Sequence, residues 1–245
     1  MNKYRIDDLQ INNLYIKQDT TAFCFGTDAV LLANFAEPKK NADILDIGTG
    51  NGIIPILLSA KVTAKKITGL EIQKHSADLA KENIKMNNLN SLIEIIEGDI
   101  KDENILPCAG FDYITCNPPY KKVGTGLENP ESTLAIARHE IKCTLDDIIK
   151  ASSGLLKSKG KLAMVHKPER LAEIIYTMKK YKIEAKRTLL VYPRENEKPC
   201  LVLVEGVKDG GAELSVLPPL YVYDKDGRYT VNIADLYNKR MNKNG

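Results

Sequence analysis

Short apolar runs alternate along the chain with longer amphipathic ones. Asp43–Ile47 reads as an apolar strand and residues 52–61 as the helix after it. Lys66–Glu71 predicts a second strand. Residues 73–88 predict a helix with apolar positions at Ala77, Ala80, Ile84 and Met86. Residues 92–96 and Phe111–Cys116 predict a third and a fourth strand, residues 145–156 a helix, and residues 161–166 a fifth strand. Residues 168–181 form a helical pattern opened by Pro168, which suits a first turn. Residues 188–192 and 201–207 are two further β-rich runs with no helix-length gap between them, so the sheet is expected to end in an antiparallel pair. The pattern predicts an α/β fold, mostly parallel, with helices on both faces.

The flanks differ from this core. Residues 1–42 form an N-terminal extension whose apolar run from Ala29 to Ala36 predicts a helix with Asp28 near its start. The domain is expected over residues 43–210, with residues 211–245 as a C-terminal tail carrying a short helix. Residues 117–143 make a long connection containing Gly124, Gly126 and Pro130, and a loop of this length in a compact domain is usually functional.

Composition narrows the class without naming it. The chain has 245 residues, 43% of them hydrophobic and 27% charged, as in an ordinary soluble domain. The polar start MNKYRIDDLQ has no apolar segment behind it, and no run reaches the roughly 18–20 apolar residues of a membrane span. A soluble, cytoplasmic protein is expected. The net charge of +3 does not itself point to nucleic acid. The charge is uneven, however: residues 167–198 carry nine Lys or Arg against five Glu, which reads as a solvated helix face or as a flank facing phosphates. The five cysteines form no C-x-x-C pair, and His75, His139 and His166 share no ligand spacing, so no metal site is expected.

The first chemical constellation is Asp46-Ile47-Gly48-Thr49-Gly50-Asn51-Gly52, set between a predicted strand and a predicted helix. Its glycines permit a tight turn and close approach of a ligand to the backbone. Glu71 ends the second strand, 19 residues after Gly52, where an acid accepts hydrogen bonds from ribose hydroxyls. The spacing departs from G-x-G-x-x-G, since Ile53 stands where a third glycine would be. Asp46 lies two residues before the first glycine, where a carboxylate would repel a pyrophosphate but attract an ammonium. A ribose, an adenine, an amino group and a positive sulfonium occur together in S-adenosylmethionine. Gly98-Asp99-Ile100 after the third strand offers Asp99 to the adenine amine and Ile100 to the ring, with a turn or helix-cap role as the alternative for Asp99. Ile72, beside Glu71, belongs to the same expected cofactor set.

The second constellation is Asn117-Pro118-Pro119-Tyr120, directly after the fourth strand. Two prolines end the ladder, and Asn117 before Pro118 is biased to an extended conformation, so the motif is rigid at the carboxyl end of its strand. An amide or adenine nitrogen is a poor nucleophile because its lone pair is delocalised. Two acceptors, the Asn117 side-chain oxygen and the Pro118 carbonyl, can take both N–H groups and aim the lone pair at a sulfonium methyl. Tyr120 offers a ring on which a flipped base can stack. No base is needed before transfer, so catalysis rests on positioning. Lys121 and Lys122 follow the motif, and with Arg138 they are candidates for contact with a phosphodiester substrate.

Taken together, Asp46–Gly52, Glu71, Asp99 and Asn117–Tyr120 resemble the motif series of class I methyltransferases of the methyltransferase small domain kind. That resemblance implies a seven-stranded Rossmann-like sheet with an antiparallel last strand. Residues 25–32 (FGTDAVLL), 221–224 (YVYD) and 226–230 (DGRYT) are similar to the bacterial tRNA(Val) adenine N6-methyltransferase family. By that resemblance Gly26, Thr27 and Asp28 close over the methionine end of the cofactor, and the expected product is N6-methyladenosine near a tRNA anticodon. A helix start packed on the sheet is the plainer reading of those three residues.

Asn-Pro-Pro-Tyr also occurs in glutamine methyltransferases of release factors, but those carry a sizeable helical domain before the cradle. Guanine methyltransferases of ribosomal RNA usually end the motif in Phe, and DNA adenine methyltransferases often add recognition domains. A non-catalytic RNA binder would not need Asp46, Glu71 and Asn117 intact, and a nicotinamide dehydrogenase fits neither Ile53 nor Asn117–Tyr120. The expectation is a monomeric enzyme that binds tRNA or another structured RNA, with no membrane and no metal.

Overall fold

The apolar runs assemble into one sheet because each central strand buries both faces. In β3 (Asp43–Ile47), Ile44 joins the core on one face and Leu45 and Ile47 the core on the other. The computed structural model describes residues 3–20, 26–118 and 143–238. Its remaining strands are β1 (Tyr4–Asp8), β2 (Tyr15–Asp19), β4 (Lys66–Glu71), β5 (Ile93–Glu97), β6 (Phe111–Cys116), β7 (Leu156–His166), β8 (Ile183–Tyr192), β9 (Leu201–Lys208), β10 (Ser215–Val216) and β11 (Leu220–Tyr221). The helices are α1 (Thr27–Phe35), α2 (Ile53–Lys61), α3 (Lys74–Met86), α4 (Leu145–Leu155), α5 (Leu171–Lys180) and α6 (Val231–Asn238).

The seven long strands of the main sheet run in the order β5-β4-β3-β6-β7-β9-β8. All neighbours are parallel except the two pairings of β9, so only the last of the seven in sequence runs against the others. The short β10 and β11 add to the outer side of β8, making nine strands, and cover an edge that would otherwise be open. Strand order reverses at β3, with β4 and β5 on one side and β6 and β7 on the other. Such a switch point leaves a crevice at the carboxyl ends of the strands.

One core holds α1, α2 and part of α3 against the sheet, and the other holds α4 and α5. A capping box starts α4: the Thr144 hydroxyl accepts from the Asp147 N–H, and Asp147 accepts from the Thr144 N–H. The predicted helix at 168–181 is a 3-10 turn, Pro168–Arg170, followed by α5. Met86 leaves the predicted apolar face of α3 and is 38% exposed, being 200° around the helix from Ile84 at 100° per residue.

Two features were not legible in the sequence. A hairpin of β1 and β2 precedes α1, and β2 packs on α3 rather than joining the main sheet. Strands β7 and β8 start five residues before their apolar runs, at Leu156 and Ile183, where Lys and Glu sit in the ladder.

Candidate active site

The parallel register lines up the predicted chemistry along one edge. Ile47 pairs with Leu70 and with Cys116, and Glu71 pairs with Glu97. Asp99, Glu71, the glycine loop and Asn117 therefore leave β5, β4, β3 and β6 side by side, at the carboxyl ends and across the switch point. Strand alternation sends Asp46, Glu71 and Thr115 to the face that carries α1 and α2.

Gly48, Gly50 and Gly52 all have positive φ, at 69°, 56° and 85°. Other residues are strained there, which explains the spacing. An added Cβ at Gly48 or Gly50 would meet nothing within 4 Å, so the loop's surface is open to a ligand. Gly52 faces Ala80 instead, so its lack of a side chain serves packing between α2 and α3. The Gly48 and Thr49 N–H groups donate to the Leu70 carbonyl at 2.9 and 3.1 Å, tying the loop to β4.

Asp46 lies under this loop with no exposed surface. Its Oδ1 accepts from the Thr115 hydroxyl at 2.7 Å, and the buried Thr49 hydroxyl interacts with the same carboxyl. Burial pushes the Asp46 carboxyl up to about 7, against the opposing hydrogen bonds from Thr115 and Thr49. A cationic group in the cradle would supply favourable charge for Asp46. Glu71, 5% exposed, accepts from the Gly50 N–H at 2.9 Å through one oxygen and from the Gln73 N–H at 2.8 Å through the other. Each oxygen keeps a second lone pair for a hydroxyl donor. This donor set fits S-adenosylmethionine.

Asp99 forms an Asx turn, its Oδ1 accepting from the Lys101 N–H at 2.9 Å, as the turn reading of this residue expects. Ile100 is buried, and Ile72 is partly exposed beside Glu71. Gly98 also has a packing reason: Ile105 Cδ1 sits 1.7 Å from where its Cβ would stand. Gly26 and Thr27 open α1, which packs on α2 and β7, and Asp28 Oδ1 accepts from the Ala29 N–H at 2.8 Å. Asn117 is partly buried and Pro118 buried directly after β6. Pro119, Tyr120, Lys121, Lys122 and Arg138 lie outside the described residues.

Sequence reasoning missed Thr115 and Asn83. Asn83 is fully buried on α3 and staples three segments. Its Oδ1 accepts from the Lys17 N–H, and its Nδ2 donates to the carbonyls of Lys17 and Asn51 at 3.0 and 2.9 Å. Asn87, one turn on, accepts from the Tyr15 N–H and donates to the Tyr15 carbonyl. Two amides at i and i+4 thus stand in for a strand partner of β2. A polar Asn inside the Ala77–Ala80–Ile84 stripe was the available signal.

The basic stretch 167–198 is largely engaged. Arg170 pairs with Glu173, Lys180 with Asp146, Arg187 with Glu37 and Glu205, and Arg194 with Glu197. This favours the solvated-face reading for most of it. Among the described residues, no group of His, Cys, Asp or Glu could hold a metal ion, and no helix is long and apolar enough to cross a membrane.

The family model described as methyltransferase small domain matches residues 20–186. The tRNA1(Val) (adenine(37)-N6)-methyltransferase of Porphyromonas gingivalis is 32% identical over 197 residues, covering 78% of this chain and 76% of the relative. The protein of the same name from Parabacteroides distasonis is 29% identical over 200 residues, covering 80% and 81%. Among solved structures, a "predicted O-methyltransferase" from Agrobacterium tumefaciens superposes with a TM-score of 0.71 at 24% identity, covering 87% of this chain and 96% of that one. A SAM-dependent methyltransferase from Aquifex aeolicus gives 0.53 at 17% identity, covering 74% and 89%. These two likenesses show the class I methyltransferase fold.

Proposed function

The chain belongs to the methyltransferase small-domain family, and from that premise we propose that it methylates the exocyclic N6 of an adenosine near the anticodon of a tRNA. It is an S-adenosylmethionine-dependent methyltransferase. The observation that carries the reading is the juxtaposition of the open glycine cradle and Asn117-Pro118 on neighbouring parallel strands at the switch point. The names of the P. gingivalis and P. distasonis relatives support the substrate class.

S-adenosylmethionine, when bound, supplies an electrophilic methyl group. Glu71 accepts from ribose hydroxyls, Asp46 balances the ammonium, and Asp99 accepts from the adenine amine. Gly48, Thr49, Gly50, Asn51 and Gly52 provide the backbone surface, and Ile72 and Ile100 hold the ring. Gly26 and Thr27, with the rest of the N-terminal extension, close over the methionine end. On the substrate side, the Asn117 side-chain oxygen and the Pro118 carbonyl accept the two N–H groups of the target amine. That pulls the nitrogen lone pair out of conjugation and orients it. Pro119 stiffens the turn, Tyr120 stacks on the base, and Lys121, Lys122 and Arg138 contact phosphates. The amine acquires its acidity only once it is methylated, so the proton leaves afterwards and no strong base is required. The reading extends to a monomer working in the cytoplasm.

The test offers the purified protein S-adenosylmethionine with a labelled methyl group, together with total tRNA from a strain lacking the gene and, separately, release factor. Digestion and mass spectrometry identify the methylated unit. N6-methyladenosine from one tRNA species is the expected result. Label in a release-factor glutamine, with none in tRNA, would move the substrate to protein and overturn the RNA reading.

A further inference from the structure

The motif at residues 221–230 builds a rigid turn at the far end of the same edge. Strand β8 runs in the direction of β7 and β6, because both β7 and β8 are antiparallel to β9. Tyr221 of β11 pairs with Tyr192, the last residue of β8, so the chain leaves β11 on the carboxyl-end side of the sheet, where Asn117 also stands. Val222 and Tyr223 continue the attachment, donating to the carbonyls of Tyr192 and Pro193 at 2.9 Å each.

The turn is held by its own residues. Asp224 Oδ1 accepts from the Asp226 and Arg228 N–H groups at 2.9 Å each, and Gly227 takes a φ of 77°. The Asp224 N–H donates to the Arg228 carbonyl at 2.8 Å, and Tyr223 bridges to Tyr229 across the turn. Thr230 anchors its far side, its hydroxyl donating to the Tyr221 carbonyl at 2.7 Å and its carbonyl receiving the Ala234 N–H at the start of α6. The outcome is an ordered aromatic pair: Tyr229 stacks on Tyr223 with ring centroids 5.3 Å apart and planes 12° from parallel. The Arg194 guanidinium lies 5.5 Å from the Tyr223 centroid. Tyr229 remains 50% exposed, and Val231 beside it 75%.

Tyr229 also interacts with Tyr223 through its hydroxyl, which fixes the pair, yet half of its surface faces solvent. The cluster is neutral: Asp224, Asp226 and Glu197 offset Lys225, Arg228 and Arg194, and Arg194 pairs with Glu197 at 3.2 Å in an exposed contact worth little. Bulk attraction to phosphate is therefore not its main use. Flat aromatic surface next to a guanidinium suits a nucleobase, which stacks regardless of sequence. We infer that Tyr229, backed by Tyr223 and Arg194, is a stacking platform for an unpaired RNA base several nucleotides away from the methylated one. Four strand spacings of ~4.8 Å separate β6 from β11, so the strand that carries the turn stands on the order of 19 Å from β6, or roughly six stacked nucleotides at ~3.4 Å each. It engages the same RNA as the catalytic motif without touching the target base. The inference rests on the tRNA reading above.

The experiment measures binding of a fluorescent, unmodified tRNA1(Val) transcript to the full chain, and methylation of the same RNA. Tyr229→Ala is expected to raise Kd and KM for the tRNA by about 5- to 150-fold, the span of one base–aromatic stack, with kcat and S-adenosylhomocysteine affinity unchanged. Tyr229→Phe keeps the ring and should bind as the unsubstituted protein does. Arg228→Ala, whose side chain the turn does not use, should weaken tRNA binding by a smaller, salt-dependent factor. Retained S-adenosylhomocysteine affinity verifies that each variant is folded. Tyr229→Ala binding tRNA as tightly as the unsubstituted chain would overturn the platform. A protein that does not bind tRNA at all overturns the platform and the tRNA reading together. Tyr229-dependent binding without N6-methyladenosine keeps the platform and removes only that reading.

Discussion

At the residue scale, Asp46 and Asn117 carry separable roles. Asp46 is a carboxyl with no exposed surface and a pKa pushed up to about 7 by burial. An acid raised in the folded state favours folding fully below its unfolded value of 3.8, and that contribution is lost as pH rises through about 7. Asp46→Asn removes the charge at nearly constant volume. The variant's melting temperature, relative to the unsubstituted protein, should therefore climb between pH 5 and pH 8. The ceiling is on the order of 4 kcal/mol, from a shift of about three units at ~1.36 kcal/mol each. The same variant should bind S-adenosylhomocysteine about 10- to 100-fold more weakly, as expected for losing a charge-assisted hydrogen bond. Calorimetry showing unchanged affinity would remove Asp46 from the cradle. Asn117→Ala makes the opposite split: turnover should fall about 100-fold or more, because the amine is no longer held in line, while cofactor affinity stays nearly constant. An equal loss of both would reassign Asn117 to cofactor binding.

At the scale of elements, the glycine loop depends on a helix that the ligand need not touch. Asn83 bonds Lys17 of β2 and the Asn51 carbonyl at once, so it couples the N-terminal hairpin to the cradle. Asn83→Ala leaves buried donors and acceptors without partners and should cost about 2–4 kcal/mol in urea unfolding, at ~1–3 kcal/mol per orphaned group. Cofactor affinity should fall as well, because the Asn51 carbonyl loses its anchor. A loss of under about 1 kcal/mol would mean that water replaces the staple. The hairpin itself escaped sequence reading because β1 alternates without an apolar core face: Tyr4 and Ile6 are exposed, and the second edge of β2 is met by two helix side chains rather than by another strand.

At the scale of the molecule, a buried polar network ties α1 to four strands. Glu205, 1% exposed in an otherwise apolar β9, accepts from the Tyr113 hydroxyl of β6 at 2.5 Å and pairs with Lys161 of β7 at 3.1 Å and Arg187 of β8 at 3.4 Å. Arg187 also donates to the Phe35 carbonyl at the end of α1 and pairs with Glu37, whose carboxyl it holds below the usual range. Burial, with Glu205 alongside, pushes the Tyr113 phenol well above its ordinary value, so it stays a donor. Glu205→Ala leaves Lys161 without its partner and the Tyr113 hydroxyl without its acceptor, while Arg187 keeps Glu37, and should destabilise the fold by about 2–4 kcal/mol. Glu205→Gln, which keeps an acceptor for Tyr113, should cost less. Methyl transfer per folded molecule should be unchanged in both, since the network lies away from the switch point. Denaturant unfolding with parallel activity assays checks this, and equal losses in the two variants would mean that the lost charge, not the lost acceptor, sets the cost.

The sequence by itself determined the strand–loop–helix order, the parallel class of the sheet, and the residue types of both constellations. Each is a local property: apolar period, glycine at left-handed φ, proline ending a ladder. It also marked Glu71 and Asp99, because an acid just past a strand end falls at the sheet's carboxyl edge in any doubly wound fold. Only the tertiary structure decided what depends on neighbours distant in sequence. It set the order that puts β3 beside β6, the Thr115 hydroxyl that meets Asp46 from another strand, the Asn83 staple and the Glu205 network. The single residues were visible, but their partners stand 66, 69 or 92 positions away. Burial and charge state follow from those partners, and so chain periodicity cannot encode them.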